Sequence, residues 1–131
     1  MLLEIENRKP THVKEFAVVE QALRGLQKSG PHSFAILTAQ DGSYLQVAGG
    51  ESTCVIELRS RNGGKHYRAY SKKRHRTEKD LQTLVFGGGK MRVEADELLE
   101  LEEAIIAFSA FFRKGGFPDQ FGWRDISEMF D

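Results

Sequence analysis

A chain of 131 residues, 40% hydrophobic and 29% charged, has the size and apolar content of one domain, and such a domain buries roughly two thirds of its unfolded surface. Nineteen basic and nineteen acidic residues cancel, which removes any whole-molecule attraction to nucleic acid or an anionic membrane. The lone Cys54 has no internal disulfide partner, no apolar run approaches the ~20 residues of a membrane helix, and Glu4, Glu6, Arg8 and Lys9 interrupt any secretory apolar stretch; the expectation is a cytoplasmic protein.

In chain order, Leu3 and Ile5 alternate with Glu4 and Glu6 in a short strand that Pro10 closes. From Thr11, read as an N-cap, the residues Val13, Phe16, Val19 or Ala17, Leu23 and Leu26 recur at helical spacing until Ser29-Gly30-Pro31. SFAILTAQ and SYLQVAG then flank Asp41-Gly42, a strong hairpin signal. A second hairpin is expected where TCVIELRS meets KHYRAYS at Asn62-Gly63-Gly64, and a third where LQTLVF meets KMRVE across Gly87-Gly88-Gly89. Residues 33–94 thus read as an antiparallel meander of four to six strands, with a polar loop over 71–80. From Asp96, the residues Leu98, Leu101, Ile105, Phe108 and Phe112 line one face of a helix reaching Lys114, and Gly115-Gly116 ends it. A last helical turn is expected to carry Trp123, Ile126 and Phe130 on one face, with Trp123 folding back as a lid on the core. The fold class is α+β: a single domain over 1–131, an antiparallel β-meander with an N-terminal and a C-terminal helix packed on it.

The sequence offers little that points to catalysis. GGGK at 87–90 lacks the leading glycine and trailing Ser or Thr of a phosphate loop, since Leu84 and Met91 stand there. His12, His32, His66 and His75 lack ligand spacing, so no metal or other cofactor is expected. Cys54 lies in the strand-like run TCVIEL, where a small buried hydrophobe is its usual role. A small-ligand enzyme built on His66 and a nearby carboxylate is the weakest reading.

Two charged stretches stand out. Between Lys65 and Lys79 the cations Lys72, Lys73, Arg74 and Arg76 accompany Tyr67 and Tyr70, a composition suited to phosphate contacts and base stacking. It equally suits a solvated loop that protects a strand edge. Between Glu94 and Glu103 six acids occur without a base, more than compensation of a helix dipole requires. On the expected helix Glu100 and Glu103 face solvent in an acidic strip.

The C-terminal segment supplies a more specific pattern: EEAIIAFSAFF, a Gly-containing break, a proline, then W-x-[DE]-[IL] as Trp123-Arg124-Asp125-Ile126. It resembles the end of an immunity-protein family of bacterial polymorphic toxin systems, often encoded beside deaminase-type toxins, and the likeness extends upstream through SFAILTAQDGSYLQVAGG and CVIELRS. The resemblance implies an α+β fold and a non-catalytic protein that binds and blocks a cognate toxin encoded next to it. It assigns no inhibitory residues, and the basic stretch has no counterpart in its pattern. Surface chemistry therefore nominates Glu97, Glu100, Glu103 and Asp119 as partner-binding candidates, opposing cationic residues of the toxin. The alternative is a small nucleic-acid-binding module using Lys72, Lys73, Arg74, Arg76, Tyr67 and Tyr70. An exposed edge strand also leaves room for a homodimer.

Overall fold

Strand alternation and the tight Asp41-Gly42 turn lay down the start of a seven-stranded antiparallel sheet, seen in a computed structural model that describes residues 1–50, 53–60, 64–73, 81–87 and 89–130. Strands β1 (Leu2–Ile5), β2 (Thr11–His12), β3 (Phe34–Thr38), β4 (Tyr44–Gly50), β5 (Thr53–Arg59), β6 (His66–Ser71) and β9 (Phe121–Asp125) run in the order β2-β1-β3-β4-β5-β6-β9. The Asp41-Gly42 hairpin forms as expected between β3 and β4, with Asp41 Oδ1 accepting from the Ser43 backbone N–H at 2.9 Å. β5 and β6 pair in register Glu57↔Arg68, while residues 61–63 of their connection lie outside the described residues. Between β4 and β5, Gly49 has φ +107°, and a Cβ there would run into the Thr53 carbonyl, so only glycine fits that close approach.

One face of the sheet is covered by α1 (Phe16–Arg24) and α2 (Leu101–Phe112). Alternate strand residues Leu37, Leu45, Val47, Cys54, Ile56 and Ala69 meet Val19 and Leu23 of α1 and Ala104, Ala107 and Phe108 of α2. Each fully buried large side chain contributes roughly 1.5–3 kcal/mol, so this apolar layer dominates the stability of the fold. The expected antiparallel sheet with two packed helices is the fold.

Two helix starts differ from the sequence expectation, each because tertiary pairing outweighs local period. Thr11 is no N-cap: it pairs with Leu3 in β2, and Glu15 occupies the cap position of a shorter helix. The acidic helix does not run unbroken from Asp96. A 3-10 turn spans Ala95–Glu97, and Leu99 is then drawn into a bridge with Cys54 through N–H···O bonds of 2.7 and 2.8 Å, so α2 starts only at Leu101.

The third hairpin, β7 (Leu81–Phe86) with β8 (Gly89–Glu94), forms but stays out of the main sheet. It packs on the second face through Val55, Leu84 and Val93, a small separate core. Trp123 sits in a strand, because β9 docks on β6 with Ala69↔Trp123 in register and satisfies an otherwise open edge. Trp123 still packs as an aromatic cap, half-buried, with its ring 4.6 Å from Phe117 and 6.4 Å from Phe121. The helical turn follows later, as a 3-10 segment over Ser127–Phe130, and the Phe130 side chain lies outside the described set.

Among the described residues no helix is long and apolar enough to cross a membrane.

Candidate partner-binding surfaces

The acidic stretch folds inward. Glu97 Oε1 accepts from the Glu94 backbone N–H at 2.8 Å, and Glu103 Oε1 accepts from the Glu100 N–H at 3.0 Å, two capping boxes in succession. The first turns Asp96 and Glu97 beneath the sheet, where they are 3% and 2% exposed. Arg68 of β6 donates to Glu57 of β5 through Nε and Nη2 at 3.0 and 2.8 Å, and its Nη1 lies 3.4 Å from Glu97. Arg124 of β9 grips Asp96 through two bonds of 2.7 Å and reaches Glu97 at 3.1 Å. These bonds, those to Asp96 above all, raise its pKa further.

This arrangement corrects the expectation for Glu97 alone among the acidic candidates. Glu97 is a buried ion-pair residue, unavailable to a partner. Glu100 is exposed and Glu103 half-buried, but their carboxylates cap the start of α2. Glu102 is held by Arg24 of α1 at 2.8 Å. Asp119 is exposed in the α2–β9 connection, remote in sequence from the other acids.

The basic stretch loses Tyr70 as a stacking surface. The Tyr70 ring lies across Gly122, where an added Cβ would fall within it, and the Arg124 guanidinium covers it at 4.2 Å. Tyr67 is half-buried opposite Asp125, on the helix side of the sheet with Ala69. Lys72 and Lys73 are exposed just past β6, whereas Arg74 and Arg76 lie outside the described residues.

His66 is buried, its Nε2 3.3 Å from the Tyr44 hydroxyl, and burial, then Arg59, pushes its pKa down. It lines neither of two surface cavities among the described residues. One, about 420 Å³, lies between β1 and α1 beside Leu3, Ile5, Arg8, Val18 and His32. The other, about 490 Å³, is bounded by Met1, Asp41, Phe111, Lys114 and Phe117. Cys54 is fully buried, and loss of solvation pushes its thiol up to about 12, which keeps it protonated. No group of three or more His, Cys, Asp or Glu able to hold a metal occurs among the described residues.

The surface that sequence reasoning missed is the outer side of the β7–β8 ribbon. Leu81 and Val85 are 54% and 57% exposed, and the exposed cations Lys90 and Arg92 stand opposite Val85 and Thr83 on the neighbouring strand, with Glu94 opposite Leu81. The signal was present: alternation in LQTLV leaves Leu81, Thr83 and Val85 on one side and Leu84 on the other. Reading it required knowing that the ribbon's inner side, not its outer one, meets the body. No protein-family model matches the chain, and no curated protein matches it significantly.

Proposed function

We propose that the protein is a non-catalytic immunity-type binder that blocks a cognate toxin domain by protein–protein contact, covering the mouth of its active site. The observation that carries this reading is the apolar pair on the ribbon. Among the described residues the large hydrophobics left exposed are Val18, Leu81, Val85 and Ile106, and two of them share this one small face. The C-terminal motif supports the same class: Trp123, Arg124 and Ile126 tie the tail to β6 and the 3-10 turn, freeing the remaining exterior for contact.

Co-expression with the protein encoded immediately upstream tests the proposal. Growth rescue with a stable complex is expected; if neighbouring products are harmless and none binds, the reading fails.

The exposure of Lys72 and Lys73 favours a second reading, a nucleic-acid-binding module. It predicts binding to single- or double-stranded probes at low salt and steep loss as salt rises, through release of counterions. It is the weaker reading, because Tyr70 is already covered by Arg124.

A further inference from the structure

Building on the reading of the ribbon as the contact surface, we infer that its partner is a protein with an acidic surface that carries apolar side chains beside its carboxylates. The outer face of the ribbon consists of two parallel columns. β7 supplies Leu81, Thr83 and Val85, and β8 supplies Arg92 opposite Thr83 and Lys90 opposite Val85. Paired strands lie about 5 Å apart, so an apolar edge runs directly beside a cationic one. Glu94, at the end of β8, is turned away to cap the 3-10 turn and approach Arg124. Among the described residues Glu94 thus ends the β8 column opposite Leu81, with its carboxylate 4.0 Å from Arg124.

The ribbon is also held in place before any partner arrives. Leu84 and Val93 anchor its inner side, and Arg68 Nη1 donates to the Arg92 carbonyl at 3.3 Å. The Arg92 backbone is thus fixed while its side chain remains exposed, which reduces the ordering cost of association. A nucleic acid would use the cations but leave Leu81 and Val85 facing charged phosphates. An anionic membrane would use both, but affinity there scales with apolar area, and two aliphatic side chains without an aromatic offer little. A protein surface that pairs carboxylates with apolar neighbours uses both columns at once.

The test is a titration of the full chain followed by amide and methyl NMR, with four probes. These are a peptide of alternating glutamate and leucine, its lysine–leucine counterpart, a duplex and a single-stranded DNA oligonucleotide, and phosphatidylserine vesicles. Shifts centred on Leu81, Val85, Lys90 and Arg92 with the glutamate peptide alone, shrinking as salt rises, are expected. No response, or an equal response to DNA, vesicles or the lysine peptide, overturns the inference.

The double variant Lys90→Glu with Arg92→Glu, and separately Val85→Ser, should each keep the wild-type unfolding midpoint. The charge reversal should weaken the peptide about tenfold or more. Unchanged peptide affinity in that variant also overturns the inference. The same variants separate the two levels of the argument. A toxin that binds wild type and the charge-reversed variant equally leaves the immunity reading standing and removes this surface. Peptide binding without any toxin complex does the reverse.

Discussion

The two faces of the sheet are covered by opposite means. Under α1 and α2 the contact is apolar, from Leu37 and Ile56 to Phe108, each without exposed surface. Under the ribbon and the 3-10 turn it is largely ionic: Glu57, Arg68, Arg124, Asp96 and Glu97 form one connected cluster beside a small apolar group of Val55, Leu84 and Val93 with Met91 and Leu98 packed against it. The first face gains from area removed from water. The second gains little net energy from its charges, because their desolvation offsets their attraction, yet it fixes geometry: each arginine has one acceptor set, so β6, β9 and the turn meet in one register. The difference teaches why the ribbon's outer side is free. Its inner side is positioned by directed bonds and a small apolar cluster, while the outer aliphatics Leu81 and Val85 stay more than half exposed.

The largest effects should come from breaking each face at its centre. Phe108→Ala removes a fully buried ring and should cost about 3–5 kcal/mol, read from urea unfolding. Arg68→Met strands Glu57 in the interior and should cost a similar ~3–5 kcal/mol. The contrast sharpens with the double variant Arg68→Met and Glu57→Leu: removing both charges should restore most of the loss, since Glu97 keeps Arg124. An Arg68→Met protein as stable as wild type would mean that the cluster plays no structural part.

A smaller effect is expected at Gly122. Gly122→Ala puts a Cβ into the Tyr70 ring, displacing the ring from beneath Arg124, and should destabilise by about 1–3 kcal/mol. Adding Tyr70→Ala should relieve the clash, and a double variant no better than the sum of the two singles would contradict this account.

The smallest effect is one of pH. Burial lowers the folded pKa of His66 below its ordinary 6.5, so the unfolded chain takes up the proton first. Its contribution is complete above pH 6.5 and is lost as pH falls from there toward the depressed folded value. Unfolding midpoints at mildly acidic and neutral pH should differ more in wild type than in His66→Gln. Equal slopes would show that His66 does not titrate differently on folding.

Much of the frame was legible from residues alone. Asp41-Gly42 marked its hairpin, the apolar alternation of β3 to β6 marked a sheet, and the spacing of Leu101, Ile105, Phe108 and Phe112 marked α2. The candidate site was much less so. Glu97 read as an exposed helical acid because three-residue spacing from Glu100 is visible in sequence, whereas the Leu99–Cys54 bridge that interrupts the helix is not. Tyr70 read as a free platform because nothing local announces that Gly122, fifty-two positions on in the numbering, leaves room for its ring.

What the chain determined by itself is what neighbours in sequence can settle: turns that require glycine, the period that separates strand from helix, and which side chains must leave water. Tertiary structure alone decided where the charges went. Whether Glu57, Asp96, Glu97, Arg68 and Arg124 face solvent or one another depends on strands and a turn brought together from distant positions. A charge can be buried only where its partners arrive with it, and that arrival is a property of the assembled sheet.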